Sequence, residues 1–219
     1  MIASASAQGV VTYCDPTLAP VMRDAGATFE RYSGASVFVF SAPPPLMLAQ
    51  LARHVQNDVL ITGAGWMDQA EQARLIQPGS RVGSWQVRLV IARRAGNAPS
   101  NGTFAITDAT PGSTTDEPAV LAALGLKPAH LLGGVDGRDV AFLLETGAAS
   151  QGILYQTDVA ADPRLEVVRP IGADVAPPTH YVAAISRASH NPNARRFLDF
   201  LTTPQATTLL RAGGLEPVP

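Results

Sequence analysis

The sequence predicts an α/β fold, in which short apolar strands alternate with amphipathic helices. Short β-branched and apolar runs recur along the chain, bounded by glycine, proline, asparagine or aspartate. Several of these runs are followed within a few residues by a segment whose apolar residues recur at helical spacing. Strand–helix alternation with short connections favours a mostly parallel sheet.

The first strand, turn and helix carry the clearest functional signal. A strand beginning at Val10 leads through a polar turn into a helix for which Thr17 is the predicted N-cap, and Pro20 falls in the first turn. The apolar face of this helix is formed by Leu18, Val21, Met22, Ala25, Phe29 and Tyr32. A helix that begins at the carboxyl end of a strand presents unpaired N–H groups, which favour anions and indicate a binding cleft.

The remaining elements follow in order along the chain. Further strands are predicted at 35–40, 59–62, 84–93, 104–106, 152–155, 165–168 and 180–185. Further helices are predicted at 46–55, 66–75, 119–124, 139–144, 194–201 and 205–210, with Asn191-Pro192 and Thr203-Pro204 marking the last two starts. Connections are predicted at the proline run 43–45, the loop 63–65, the hydroxyl-rich loop 107–116 and the glycine-rich turn 133–137. A coarse repeat of strand, polar turn and helix N-terminus occurs near Thr17 and again near Ser113.

Composition argues against several classes of protein. With 219 residues, 46% hydrophobic residues and a formal net charge of −2, the chain has the balance of a globular protein with a sizeable core. Neither a nucleic-acid partner nor membrane insertion is expected, because no basic excess exists and no apolar run approaches the ~20 residues that span a bilayer. Lys127 is the only lysine, which removes a phosphate-loop lysine and argues against a Schiff-base mechanism.

The amino-terminal residues predict export. Ala5-Ser6-Ala7 has the small-x-small form of a signal-peptidase site with cleavage before Gln8, so residues 1–7 are either a signal-peptide remnant or a disordered tail. The single cysteine, Cys14, excludes an internal disulfide and is expected to be buried and inert at a strand end. We therefore expect a periplasmic protein.

The sequence lacks the motifs of an enzyme or of a resident metal. The histidines His54, His130, His180 and His190 show no metal-ligand spacing, and the lone cysteine has no identifiable histidine partner. There is no GxSxG elbow, and the glycine-rich run 133–137 lacks the strand–GxGxxG–helix context of a dinucleotide site. We expect no catalytic activity and no cofactor.

Several segments match one known family in their order and spacing. They are Val11-Thr12-Tyr13 through Thr17-Leu18, Phe29-Glu30 with Gly34, Asn57-Asp58-Val59-Leu60-Ile61-Thr62 through Trp66-Met67-Asp68, Gly152-Ile153-Leu154-Tyr155 with Asp158, and Phe197-Leu198 through Pro204-Gln205-Ala206. With these segments the chain resembles, from about Val10 to Gly213, the periplasmic molybdate-binding proteins of ABC uptake systems.

The resemblance implies the two-lobed type II periplasmic binding protein fold, with a ligand cleft between the lobes. Lobe 1 is expected at residues 8–86 plus 180–219, and lobe 2 at residues 87–179. The two crossings between lobes match the strands predicted from Ser84 onward and from His180 onward.

The resemblance also implies ligand contacts. They fall on Thr17, Pro44, the Ser113-Thr114 region, Gly137 and Tyr155. Pro44 departs from the family, which has a serine there, because proline supplies neither a hydroxyl nor an N–H. Asp15 adds a carboxylate that opposes an oxyanion; it is either a contact to a cation or ligand amine, or a turn residue before the helix. Pro43 and Pro44 form either a rigid apolar wall of the cleft or a stiff connection.

These features predict an extracytoplasmic, non-enzymatic, monomeric solute-binding protein that delivers a small ligand to an ABC permease. The ligand is expected to be an oxyanion such as molybdate or tungstate, or a divergent ligand: an organic acid, another small metabolite or a metal complex. Because of Pro44 and Asp15, we expect weak molybdate binding and a ligand with an apolar or cationic portion. Thr17 and Tyr155 are predicted to line one interlobe cleft. The alternative is a cytoplasmic ligand-sensing regulatory domain with the same fold.

Overall fold

The computed structural model describes residues 8–96, 102–108 and 116–218. The predicted cleavage site at residues 5–7 lies outside the described residues, and so do Ser113 and Thr114. The elements in chain order are β1 (Val10–Cys14), a 3₁₀ turn (Pro16–Leu18), α1 (Ala19–Ser33), β2 (Val37–Ser41), α2 (Pro44–Ala52), β3 (Val59–Gly63), α3 (Ala64–Gln72), β4 (Val82–Val87), β5 (Leu89–Arg94), β6 (Thr103–Thr107), α4 (Glu117–Ala123), β7 (His130–Gly134), α5 (Gly137–Glu145), β8 (Gln151–Tyr155), α6 (Gln156–Ala160), β9 (Leu165–Pro170), β10 (Thr179–Ile185), α7 (Pro192–Leu201), α8 (Pro204–Ala212) and β11 (Glu216–Pro217).

The chain divides into two compact α/β units. Unit 1 contains the described residues up to Gln86 together with those from His180 onward, and unit 2 contains the described residues of the range Val87–Thr179. The α/β class predicted from strand–helix alternation is therefore confirmed in both units.

Unit 1 is built on a six-stranded sheet in the order β11-β4-β10-β3-β1-β2. Strand β1 pairs in parallel with both β2 and β3, whereas β10 pairs antiparallel with β3. All five residues of β3 are buried, because helices cover both faces of the sheet. On one face a core cluster includes Met47, Leu60 and Met67; on α1, the Phe29 ring packs edge-on against that of Phe197 in α7 at a centroid distance of 5.3 Å.

Unit 2 repeats the same strand arrangement. Its five-stranded sheet has the order β7-β6-β8-β5-β9, with β6 parallel to β7 and β8, and with β5 antiparallel to β8. Successive residues of β5 enter different core clusters on the two faces: Leu89 and Ile91 belong to one, and Val90 and Ala92 to the other. In each unit, therefore, a central strand is flanked by two parallel strands, and one outer neighbour runs antiparallel.

A buried polar network holds the beginning of unit 1. The Asp58 carboxylate accepts hydrogen bonds from the Val11 N–H at 2.9 Å, the Ser189 hydroxyl at 2.6 Å and the Asn191 amide at 3.1 Å. The Asn191 side chain also donates to the Gly9 carbonyl at 2.7 Å. Asp58 therefore fixes the start of β1 against the start of α7, because all its bonds are buried or partly buried.

The predicted N-cap at Thr17 is wrong. The chain forms a 3₁₀ turn directly after Asp15, with the Leu18 N–H donating to the Asp15 carbonyl at 3.0 Å, and α1 continues from that turn. Pro16 fixes φ at the first position of the turn, so helical geometry begins before the apolar spacing does. Pro20 lies in the first turn of α1, as predicted.

Three predicted connections belong to regular elements instead. Pro44 and Pro45 are the first two residues of α2, where the missing N–H groups are tolerated, and α3 starts at Ala64 immediately after β3. The predicted turn at 133–137 contains the end of β7: Gly133 and Gly134 are strand residues. A Cβ at Gly133 would overlap the Asp108 carboxylate, and one at Gly134 would lie 2.8 Å from the Asp139 Cβ, so close packing explains these glycines.

The predicted strand at 84–93 is two strands, β4 and β5, interrupted at Arg88. The interruption falls beside the boundary between the units, so each half joins a different sheet. Periodicity alone gives no sign of this change of partner. The sheets are also mixed rather than mostly parallel, because β10 in one unit and β5 in the other run antiparallel to their neighbours.

Candidate ligand-binding site

Unit 1 brings four predicted site residues to one edge of its sheet. The parallel strands β1, β2 and β3 end side by side, with Cys14 paired to Ser41 and to Ile61. Asp15 and Thr17 follow β1 directly, and Pro43 and Pro44 follow β2. We call this group, with Thr62 and Gly63 at the end of β3, the unit 1 edge. The carboxyl ends of parallel strands are where α/β sheets usually bind ligands.

Asp15 is the buried titratable group of the unit 1 edge. Its side chain is 6% exposed, and its Oδ1 accepts a hydrogen bond from the Thr62 hydroxyl at 2.7 Å. Burial raises the pKa of Asp15 to about 7, although hydrogen bonds from Thr62 and from the Gly63 N–H act in the opposite direction. The carboxyl therefore changes charge near neutral pH.

The neighbouring thiol is inert. Cys14 is buried and free, and burial raises its pKa well above its usual range, with a smaller contribution from Asp15. The buried thiol predicted from the sequence is confirmed. Because the thiol stays protonated near neutral pH, it neither binds a metal nor acts as a nucleophile.

The first turn of α2 presents no unbonded N–H group to a ligand. Pro44 is buried and Pro45 follows it, and neither carries an N–H. The N–H groups of Leu46 and Met47 both donate to the Pro43 carbonyl, at 3.0 and 3.1 Å. The lack of a donor at Pro44, expected from the sequence, therefore extends to the whole first turn of α2.

Unit 2 brings Gly137 and Tyr155 to the corresponding edge of its sheet. Strands β6, β7 and β8 run parallel and end at Thr107, Gly134 and Tyr155, and Gly137 is the first residue of α5. We call this group, with Asp136, Glu117 and Thr179, the unit 2 edge. By its place in the topology Gly137 corresponds to Pro44, because each begins the helix that follows the flanking edge strand.

Carboxylates of the chain already occupy the start of α5. The Asp136 Oδ1 accepts from the Arg138 N–H at 2.8 Å and from the Asp139 N–H at 3.3 Å. The Asp139 carboxylate accepts in turn from the Val135 N–H at 2.9 Å. This reciprocal capping stabilises the helix terminus and engages donors that an anionic ligand would use.

Tyr155 combines a packed ring with a polar tip. The ring packs against the core cluster that includes Ile91 and Ile153, and the hydroxyl lies 3.3 Å from the Thr179 Oγ1. Ring packing and hydrogen bonding of the hydroxyl are therefore combined in one side chain.

Sequence reasoning missed Glu117, the first residue of α4. Its side chain is 6% exposed and accepts from the Thr107 N–H at 2.7 Å, at the end of the central strand β6. Burial raises the pKa of Glu117 to about 7, with a smaller contribution from the Asp158 charge. The signal that was available is its position: it follows the central strand of unit 2 as Asp15 follows that of unit 1.

Within 8–96, 102–108 and 116–218, no group of three or more His, Cys, Asp or Glu side chains is arranged to hold a metal ion. None of the helices in those ranges combines the length and the hydropathy of a membrane span.

Three comparisons with known proteins agree with this architecture. Residues 10–216 match the model of the family described as bacterial extracellular solute-binding protein. The molybdate-binding protein ModA of Escherichia coli is 22% identical, over 94% of this chain and 88% of its own length. The periplasmic molybdate-binding protein of Azotobacter vinelandii superposes with a TM-score of 0.77 at 17% identity, covering 96% of this chain and 99% of that one.

A sulfate-binding protein has the same fold. SubI of Mycobacterium tuberculosis superposes with a TM-score of 0.70 at 16% identity, covering 96% of this chain and 87% of that one. At these identities the structural comparisons establish the fold alone. The predicted two-lobed periplasmic binding protein fold is confirmed by them.

Proposed function

Since the chain belongs to the bacterial extracellular solute-binding protein family, we propose that it is an extracytoplasmic, non-enzymatic binding protein that delivers a small ligand to an ABC permease. The observation that carries this proposal is the repeated edge. In each unit, three parallel strands end side by side, and helices start just after these strand ends. This is the usual location of a ligand site in α/β proteins.

We propose that one ligand contacts both edges, with unit 1 at residues 8–86 plus 180–219 and unit 2 at 87–179 acting as the two lobes. Asp15, Thr17, Pro43 and Pro44 would contact it from unit 1, and Gly137 and Tyr155 from unit 2. Ser113 and Thr114 remain proposed contacts from the sequence. Lobe closure would then be driven by a ligand that binds the closed state more tightly than the open state.

The ligand class is small and polar. The relatives named above bind molybdate or sulfate according to their names, which makes oxyanions the first compounds to test. The missing donors at the start of α2 and the engaged donors at the start of α5 favour instead a ligand with an organic portion, such as an organic acid or another small metabolite. No cofactor or nucleic acid is part of this proposal, and the binding unit is a monomer.

A thermal-shift panel on ligand-free protein tests the proposal. The panel contains oxyanions, carboxylates, amino acids, metal ions and cofactors. A ligand at 100 times its dissociation constant adds about 2.7 kcal/mol to the free energy of unfolding, so a true ligand raises Tm clearly. Turnover of a panel compound without a stable complex would instead indicate an enzyme and would contradict the proposal.

The replacement Tyr155→Phe tests the proposed contacts. Because a hydrogen bond to a charged or polar ligand group contributes about 1–3 kcal/mol, we expect the Kd of the panel ligand to rise by about fivefold or more, with little change in Tm of the free protein. Tyr32→Phe is the matched control, since Tyr32 is 78% exposed on α1. Equal Kd values for the two variants would remove Tyr155 from the site.

Processing of the amino terminus tests the location. Two described contacts lie next to the predicted cleavage position: the Asn193 side chain donates to the Gln8 carbonyl at 2.9 Å, and the Asn191 side chain donates to that of Gly9. We expect protein from its native host to begin at Gln8 and to be released with the periplasmic fraction. An intact Met1 in a cytoplasmic fraction would favour a ligand-sensing regulatory domain.

A further inference from the structure

The start of α2, at the unit 1 edge, offers few hydrogen-bond donors to an anion. Pro44 and Pro45 have no N–H, and the N–H groups of Leu46 and Met47 both donate to the Pro43 carbonyl. The positive end of α2 therefore lacks the groups through which a helix terminus binds an anion.

The same edge carries a buried carboxyl. Asp15 is 6% exposed, and the nearby Thr62 hydroxyl is already engaged as a donor to Asp15 Oδ1 at 2.7 Å. Strand pairing places Asp15 close to the start of α2, because Cys14 pairs with Ser41 and its carbonyl accepts from the Ala42 N–H at 3.4 Å. The unit 1 edge therefore combines missing N–H donors at the start of α2 with the added carboxyl of Asp15.

We infer that Asp15 sets the charge selectivity of the ligand site: when ionised it rejects divalent oxyanions such as molybdate and sulfate, and it selects ligands that present a cationic nitrogen or a hydrogen-bond donor to it. This inference rests on the proposed function, since it concerns the same site. The physical reason is that a second negative charge near a poorly solvated carboxylate is repelled strongly, whereas a cation or donor compensates it.

Protonation of Asp15 relieves the rejection. Its pKa of about 7, raised by burial, means that the neutral form is populated at mildly acidic pH. Among the described groups near it, the Cys14 thiol is neutral and interacts with Arg23 of α1, and the first turns of α2 and α3 carry no titratable side chain. His180 lies at the start of β10, where the next residue, Tyr181, pairs with Gly63. For each pKa unit by which a bound dianion raises the pKa of Asp15, the affinity of the ionised form for that dianion is about tenfold lower.

Molybdate and sulfate titrations of the full chain test this inference by calorimetry at about pH 6 and pH 8. The variants are Asp15→Asn, which keeps the acceptor for Thr62 but carries no charge, and Asp199→Asn, which makes the same charge change on an exposed position of α7. Because Glu117 also titrates in this range, the quantity compared is the ratio of the wild-type Kd to the Asp15→Asn Kd at each pH.

The expected ratio for molybdate is about ten or more at pH 8 and falls toward one at pH 6, while Asp199→Asn behaves as wild type. A ratio near one at both pH values, with both proteins folded, overturns the selectivity role. A wild-type Kd for either anion that is independent of pH overturns it without any variant. If one of these results is obtained but the thermal-shift panel identifies a ligand, the proposed function is kept and only the selectivity role of Asp15 is rejected. If the panel identifies no ligand for any variant, the proposed function itself fails.

Discussion

The helices α2 and α5 occupy equivalent places in the two units, yet their amino termini differ in chemistry. Each is nine residues long and follows the strand that flanks the central strand at the edge of its sheet. The start of α2 has no N–H to offer, because its first two residues are prolines. The start of α5 has N–H groups, but Asp136 engages those of Arg138 and Asp139.

This difference shows that a helix start at the carboxyl edge of a sheet is only a position for a ligand site. Whether the position suits an anion depends on which N–H groups exist and on what already binds them. The start of α2 lacks donors, and the start of α5 is already bound by the carboxylate of Asp136. For a ligand at the proposed site, both arrangements reduce the hydrogen bonds available to a dianion, so we expect that the shared fold alone does not confer molybdate binding.

The two units are alike in one respect, and this gives the largest expected effect. Each buries a carboxyl of pKa about 7 after its central strand: Asp15 in unit 1 and Glu117 in unit 2. Since these pKa values are raised above those of the unfolded chain, their stabilising contribution is complete below about pH 4 and is lost as pH rises through about 7. We expect the free energy of unfolding to fall between about pH 5 and pH 8, by up to about 3 kcal/mol for each group.

Urea unfolding of wild type, Asp15→Asn and Glu117→Gln at both ends of this window measures the contribution of each unit. Each variant lacks one ionisable group, so its stability should fall less with pH than that of wild type. Asp162, whose pKa is lowered chiefly by its hydrogen bond from Arg164, stays ionised throughout the window and does not contribute. If the stability of wild type and of both variants changes with pH by the same amount, neither carboxyl has the raised pKa that its burial indicates.

A smaller effect is expected when α2 is given a donor. Pro44→Ser adds an N–H and a hydroxyl at the first position of the helix, and hydrogen bonds to a charged group contribute about 1.5–3 kcal/mol. We expect the Kd for molybdate to fall by about tenfold or more, with a stability cost of about 0.4–1 kcal/mol from the freer unfolded chain. Calorimetric titration measures the first quantity and urea unfolding the second.

Pro192→Ser is the matched control for this change. Pro192 is also the first residue of a helix in unit 1, and the Asn191 side chain accepts from the next N–H of that helix. The control should reproduce any stability cost without a change in molybdate affinity. If both serine variants bind molybdate as weakly as wild type, missing donors at α2 are not what distinguishes the two edges.

Much of the fold was predictable from sequence, because the signals involved are local. The alternation of strands and helices and the caps at Asn191 and Thr203 depend on residues within one turn or one strand, and the structure contains both caps as side-chain hydrogen bonds. The break at Arg88 was not predictable in this way. It reflects which sheet each half joins, and that is decided by residues far away in sequence.

The candidate site was predictable in position but not in chemistry. Thr17 and Gly137 could be placed at helix starts from sequence and resemblance, although the first is inside a 3₁₀ turn rather than at a cap. The raised pKa of Asp15 depends on its burial. The Glu117 carboxylate is held by a hydrogen bond from the Thr107 N–H, ten residues earlier in the chain. Solvent exclusion and contacts across a sheet edge leave no signature in a single sequence.

The smallest expected effect concerns the cap of α5. Asp136→Ala removes the carboxylate that accepts from the Arg138 and Asp139 N–H groups, and loss of such a cap costs about 1 kcal/mol of stability. Asp136→Asn is the control, because asparagine caps a helix as well as aspartate does but carries no charge. Urea unfolding should therefore separate the alanine variant from wild type and leave the asparagine variant close to it. Equal stability of all three proteins would mean that the start of α5 is satisfied without Asp136, and the contrast drawn with α2 would then lose its physical basis.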